Sequence, residues 1–198
     1  MNMFAFITVT LNPSQSQILR LEELQSTFSA ACNYLSPIVA SNYCWNRVAL
    51  HHLAYRKIRE EFPQLGSQMS ANVIYSVCRA AKKIYQDPSK KWHSAKKNNL
   101  KLPTLKFPKE TPVFFDRHTL SIKKNIMSLY SLDGRMKFEI EMNEKIEYAF
   151  LNKKLNEIIL YKIENKYKLR FSFETLEIIK EMINEDLNII KNIEVMEI

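Results

Sequence analysis

Arg79, Lys82, Lys83, Lys90, Lys91, Lys96, Lys97, Lys101, Lys106 and Lys109 fall in one stretch of the chain, opposed within it only by Asp87. Lysines at this density have one general chemistry: they neutralise a polyanion such as a phosphate backbone and release its counterions. Trp92, Phe107 and Tyr85 lie among them and offer ring faces on which bases can stack. The plainer reading is a loop kept soluble by its lysines, with Trp92 packed over a helical bundle and Phe107 in the core.

Other chemistry is thinly represented. His51 and His52 are adjacent, so a helix turns them to different faces and denies them the i, i+4 spacing of a zinc helix. His93 and His118 have no cysteine or second histidine at ligand spacing, so neither a metal nor a cofactor is expected. The carboxylates are dispersed along solvated faces, and Asp133 is explained by its turn. No catalytic residue is therefore expected, and the chain is read as a non-enzyme. The only glycines are Gly66 and Gly134, which excludes glycine-rich phosphate loops. Cys32, Cys44 and Cys78 form no CxxC pair and sit where a cysteine acts as a small buried hydrophobe. An odd count without a secretory leader points to a reducing, cytoplasmic setting. No apolar run reaches about 18 residues, so no membrane span and no membrane partner are expected.

Over the whole chain, 29 Lys and Arg face 21 Asp and Glu, a formal charge of +8. The balance reverses from Glu174 onward, where Glu174, Glu177, Glu181, Glu185, Asp186, Glu194 and Glu197 meet only Lys180 and Lys191. The field is thus polarised along the sequence, and net charge understates the basic patch. Nucleic acid is the first partner such a surplus suggests.

The elements that must position these residues follow from periodicity. Phe4–Leu11 alternates as a strand. Asn12-Pro13 stops it and starts a helix, in which Ile18, Leu21, Leu24, Phe28, Ala31 and Leu35 recur at helical spacing. Pro37 is expected to kink or restart that helix. A second helical stretch runs from about Ser41 to Phe62 and ends at Pro63 and a Gly66 turn. Ser67 or Ser70 is placed to cap a third, with Val73, Val77, Ala80, Ala81 and Ile84 as its apolar stripe. From Asp87 to Asn99 the period is lost, and an exposed loop or short helix is expected. Strands are expected near Thr104–Phe107, Val113–Phe115, Thr119–Lys123, Ile126–Leu132 and Lys137–Met142. Asp133-Gly134 gives the strongest hairpin signal, because a type I′ turn needs two positive φ angles. Leu155–Ile163 and Tyr167–Phe173 form a second hairpin, and Thr175–Ile193 an acidic amphipathic helix. The architecture is α+β: a small β-structure with a helical bundle inserted into it, so the opening strand must pair with later ones to bury its apolar face.

The order of these motifs resembles that of the TnpB/OrfB transposon-associated proteins, related to compact type V CRISPR effectors. Phe4–Tyr34 is similar to the family's opening, with Pro13, Gln15, Leu21, Leu24, Phe28, Ala31 and Cys32 matching. Met69–Tyr85 resembles the helix before the family's lysine-rich loop, and Lys101–Lys109 its short basic strand. Asn33 and Pro37 depart from the pattern, where the family carries an Arg and an Asn. A G-I-D-x-G nuclease strand is expected soon after the second hairpin and has no counterpart; nor do the nuclease carboxylates or the zinc ribbon. The resemblance implies a small antiparallel, wedge-like β-barrel (1–12 and 101–173), an inserted helical recognition domain (13–100) and an acidic C-terminal helix (174–198). It also implies roles. Asn72, Ser76, Arg79 and Lys83 become candidates for a helix reading double-stranded DNA, and Lys101, Lys106 and Lys109 for guide or duplex backbone. Lys90, Lys91, Trp92, Lys96 and Lys97 form the loop cluster. The function expected is non-catalytic binding of guide-type RNA, target-adjacent double-stranded DNA or both, with a separate RuvC-like nuclease subunit as a further partner. A protein-interaction scaffold and an autonomous DNA-binding transcriptional regulator stand as alternatives.

Overall fold

The computed structural model describes residues 6–173 and 194–196. In chain order the elements are β1 (Phe6–Thr10), α1 (Gln15–Asn42), α2 (Arg47–Glu61), α3 (Gly66–Tyr85), β2 (Thr104–Lys106), β3 (Val113–Phe115), β4 (Leu120–Lys123), β5 (Ile126–Ser131), β6 (Gly134–Glu139), α4 (Glu144–Asn152), β7 (Leu155–Ile163), β8 (Lys166–Phe173) and β9 (Glu194–Met196). Short 3-10 turns lie at Pro63–Leu65 and Lys91–Ser94. The fold is α+β, and every strand pair is antiparallel. No helix among the described residues is long and apolar enough to cross a membrane.

The described residues divide into two compact units: a strand unit of 6–25 with 112–173, and a helical unit of 26–111 with 194–196. One boundary falls inside α1 and the other just before β3, whereas the sequence reading set them at 12/13 and 100/101.

In the strand unit, β1 pairs with β8, Phe6 opposite Ser172 and Thr10 opposite Lys168, in a four-stranded sheet ordered β1-β8-β7-β3. The first strand therefore closes on the last hairpin, as its apolar face requires: Ile7 and Val9 are buried while Phe6, Thr8 and Thr10 point out. β4, β5 and β6 make a separate three-stranded meander. Its β5–β6 turn differs from expectation. Ser131 pairs with Gly134, so the turn residues are Leu132 and Asp133, and neither takes a positive φ. Asp133 is held instead by side chains, accepting from Arg20 Nε at 2.9 Å and Ser131 Oγ at 2.8 Å. The two positive φ angles of a type I′ turn occur in the β7–β8 hairpin, at Glu164 (50°) and Asn165 (60°). α4 went unrecognised in the sequence. Asn143 caps it, its side chain accepting from the Ile146 N–H at 3.0 Å, and Phe150 packs edge-on against Phe171 and Phe173.

In the helical unit, Phe28, Cys32, Leu35 and Val39 of α1, Leu50, Ala54 and Ile58 of α2, and Met69, Val73, Val77 and Ala81 of α3 are all buried. Pro37 neither restarts nor ends α1, which runs through it to Asn42. The break comes where Tyr43 takes a φ of 48° and the Cys44 N–H turns back to the Val39 carbonyl. Asn46 then caps α2, accepting from the Val48 and Ala49 N–H groups. Ser67 and Ser70 lie inside α3, in its first and second turns, rather than capping it; the Ser70 hydroxyl donates to the Gly66 carbonyl at 2.7 Å. β2 pairs with β9, Lys106 opposite Glu194. Residues 194–196 are thus strand where the sequence reading continued a C-terminal helix, because β-pairing there gives the β2 backbone a partner. The rest of that proposed helix lies outside the described residues.

Candidate nucleic-acid interface

All twelve side chains singled out in the sequence belong to the helical unit. Residues 26–111 carry fourteen lysines and arginines against Glu60, Glu61, Asp87 and Glu110. The loop after α3 concentrates this charge. Lys90, Lys91, Lys96, Lys97, Lys101, Lys106 and Lys109 are all exposed. Ala95 is buried and pins the loop from within, while the Leu100 N–H donates to the Ala95 carbonyl. At the loop's start Asp87 is engaged locally. It accepts from the Ser89 hydroxyl at 2.7 Å and the Ser89 N–H at 2.9 Å, which hold its carboxyl below the usual range. His93 fixes one ring nitrogen, Nδ1, 3.0 Å from the Gln86 carbonyl oxygen.

At the loop's exit, two tyrosines fasten the chain: Tyr43 donates its hydroxyl to the Leu100 carbonyl at 2.7 Å, and Tyr85 donates to Pro103. The extended segment beyond is held by α1. Asn33 accepts from the Phe107 N–H at 2.8 Å and donates to the Phe107 carbonyl at 2.9 Å. Ser29 donates to the same carbonyl, and Ser36 accepts from the Leu105 N–H. Spaced four and three residues apart, these three side chains form a polar stripe on one helix face that replaces a neighbouring strand. Leu105 and Phe107 are thereby turned inward and Lys106 outward. This also accounts for Asn33, one of the departures from the family pattern.

Several candidates are placed differently from expectation. Asn72 and Ser76 are each only 5 % exposed, so a groove-reading role for their side chains is corrected to a core one. Asn72 Nδ2 lies 3.9 Å from Met69 Sδ, and Ser76 hydrogen-bonds Cys32, whose thiol burial pushes well above its ordinary range. The 3.6-residue period explains it: the outer stripe of α3 is Gln68, Ala71, Tyr75 and Arg79, all half-buried, and the exposed Lys82, while the Lys83 ammonium is buried and its DNA-contacting role is corrected with theirs. Tyr85 and Phe107 are fully buried, so neither is a stacking platform. Trp92 is half-buried, with Lys91 Nζ 4.5 Å from its ring centroid.

The structure adds residues that sequence reasoning did not single out. Tyr75 has the Arg47 guanidinium 5.3 Å from its ring centroid, while Arg79 Nη1 donates to its hydroxyl at 3.2 Å. Arg47 and Lys82 also bear on Cys78: burial, and then Cys44, push its thiol up to about 12 although these two cations pull the other way. An i, i+4, i+7 series of Tyr75, Arg79 and Lys82 was visible in the sequence as a polar stripe opposite the apolar one; Arg47 was not, because it comes from another helix. On α2, His51 stacks on Tyr55 at 4.5 Å, and both histidines are exposed. Among the described residues, no group of three or more His, Cys, Asp or Glu could hold a metal ion. No family model matches the chain, and no curated protein matches it.

Proposed function

We propose that the chain is a nucleic-acid-binding module of TnpB-like type, which takes guide-type RNA, target-adjacent double-stranded DNA or both. The observation that carries this reading is the fourteen-to-five cation excess of the described helical unit, with seven exposed lysines between residues 90 and 109. Those lysines lie along the phosphate backbone, and Arg79 and Lys82 continue the track onto α3. In this reading the β1-β8-β7-β3 sheet and the β4-β5-β6 meander are the walls of a wedge-like barrel. The helices between β1 and β3 are its inserted recognition part, and any strand cleavage comes from a separate RuvC-like nuclease subunit. The test is a salt titration of the full chain against a structured RNA. The logarithm of affinity should fall steeply and linearly with the logarithm of salt, at a slope of roughly 0.7 to 0.9 per phosphate contact. An affinity that is undetectable at low salt would remove the reading.

An interaction scaffold draws on a different observation. In the strand unit a cavity of about 370 Å³ is lined by Leu120, Ile122, Met142, Phe150, Leu151 and Leu155 among others, and Leu151 is 76 % exposed. Leu151→Glu altering sedimentation while leaving RNA affinity untouched would favour that second reading.

A further inference from the structure

A cavity of about 390 Å³ opens in the helical unit between the C-terminal end of α1 and the segment leaving the lysine loop. Pro37, Ala40, Ser41 and Tyr43 form one wall; Asn99, Lys101, Leu102 and Thr104 form the other. Its volume lies in the range of small-ligand sites, roughly 300 to 1,000 Å³. Its chemistry is mixed in a particular way: one aromatic ring, one carboxamide, two hydroxyls and one exposed ammonium beside a small apolar floor. Those are the groups that hold a base by its face, read its edge and neutralise its phosphate.

The backbone supplies a second, independent observation. Tyr43 occupies the position after a helix end at which the chain takes a left-handed turn, with a φ of 48°, and Asn99 on the facing wall has a φ of 52°. Glycine is the usual occupant of such a helix end, and asparagine tolerates the conformation. A tyrosine carries a steric penalty there. Its hydroxyl bond to the Leu100 carbonyl ties the two walls together and leaves its ring in the cavity lining. Ser41 donates its hydroxyl to the Ile38 carbonyl and accepts from Asn42 Nδ2 at 3.2 Å, which fixes it at the rim of the cavity.

We infer that this cavity binds one nucleotide of a single-stranded nucleic acid, with the base against Tyr43, its edge on Asn99 and a phosphate at Lys101. The inference rests on the nucleic-acid reading of the helical unit and adds to it a discrete base-sized site at the root of the loop. A strand would be anchored at one nucleotide here and held elsewhere by charge alone.

The experiment uses the full chain with a 12-nucleotide single-stranded RNA carrying 4-thiouridine, and its DNA counterpart carrying 4-thiothymidine. Cross-links are mapped by mass spectrometry, and affinity is measured against salt. Ser41 is exposed, so Ser41→Phe plugs the cavity from the helix surface without touching the core. The expected result is a cross-link at Tyr43 or Asn99 that Ser41→Phe and Asn99→Ala abolish. Affinity should drop about tenfold, while the salt slope stays unchanged. The oligomer that cross-links there identifies whether RNA or DNA is the source. Cross-links confined to Lys90–Lys97, with affinity unaffected by both variants, would overturn the pocket and leave the charge-based reading standing. No binding of either oligomer at low salt would overturn both.

Discussion

Residues 26–111 with 194–196 hold fourteen cations against five acids, whereas 6–25 with 112–173 hold thirteen against ten. The strand unit spends its charges on itself. Arg20 clasps Asp133 across the β5–β6 turn, and Lys162 Nζ reaches Glu22 at 3.1 Å. The helical unit leaves seven lysines exposed between Lys90 and Lys109, and Asp87, the acid before the first of them, is occupied by Ser89. Two bodies of nearly equal cation number thus differ in what the cations face. Balanced charge fixes turns in one; unbalanced charge in the other creates a field able to draw in a polyanion.

The hardest blow to this contrast comes from lysine removal in matched sets. Lys90, Lys91, Lys96 and Lys97→Ala together should flatten the salt slope for single-stranded RNA by about 3 and weaken binding on the order of several hundredfold at 0.1 M salt. Lys123, Lys124, Lys154 and Lys166→Ala, four exposed lysines of the strand unit, should change the slope by less than about 1. Equal losses from both sets would erase the distinction between the units.

Next in size is the support beneath the basic segment. Asn33→Ala removes the acceptor of the Phe107 N–H and one of the two donors to its carbonyl, leaving Ser29, and should cost about 2 kcal/mol in urea unfolding. Gln17→Ala in the strand unit loses two exposed bonds, Nε2 to the Lys137 carbonyl and the Ser14 N–H to Oε1, and should cost no more than about 1 kcal/mol. A smaller effect is expected at the α2 cap: Asn46→Ala should cost about 1 kcal/mol, with the start of the helix fraying by hydrogen exchange.

Acid titration sharpens the comparison with the least energy. Asp133 and Asp87 are both held below the ordinary carboxyl range, the first by Arg20 and then Ser131, the second by Ser89. A lowered folded value means the stabilisation is present above the unfolded value near 3.9 and is lost as pH falls through the folded one. Arg20 lies 113 residues from Asp133, so that partner exists only in the folded chain, whereas Ser89 is two residues from Asp87 and remains nearby on unfolding. Asp133→Asn should therefore flatten the stability profile below about pH 4. Asp87→Asn should flatten it less, as read from thermal midpoints across pH 2.5 to about 6.

Much of the architecture was legible because periodicity carries it. The apolar stripes of α1 and α3, the alternation in β1, and the β7–β8 hairpin are each written in local sequence. What escaped needed information from elsewhere in the chain. Pro37 reads as a break, yet tertiary packing of Leu35 and Val39 carries the helix through it. Asp133-Gly134 reads as a type I′ turn, but Arg20 and Ser131 hold a different register. Glu164-Asn165 reads poorly and adopts the expected left-handed pair. α4 was overlooked although Asn143, Glu144, Ile146, Ala149 and Phe150 spell a short capped helix.

The candidate site divides in the same way. Lysine density and loop exposure were visible residue by residue. Which face of α3 looks outward was not, since the resemblance pointed at Asn72 and Ser76 while the helix phase leaves Tyr75 and Arg79 half-buried and Lys82 exposed. The cavity beside Tyr43 joins residues some sixty positions apart, and a linear reading has no signal for it.

The account stands most directly on where nucleic acid touches the chain. Amide hydrogen exchange of the full protein, with and without a saturating structured RNA, would locate that contact. Slowed exchange concentrated between residues 87 and 109 and along the outer stripe of α3, with β7 and β8 unaffected, is the predicted footprint. Protection confined to the strand unit, or spread evenly over both, would contradict it.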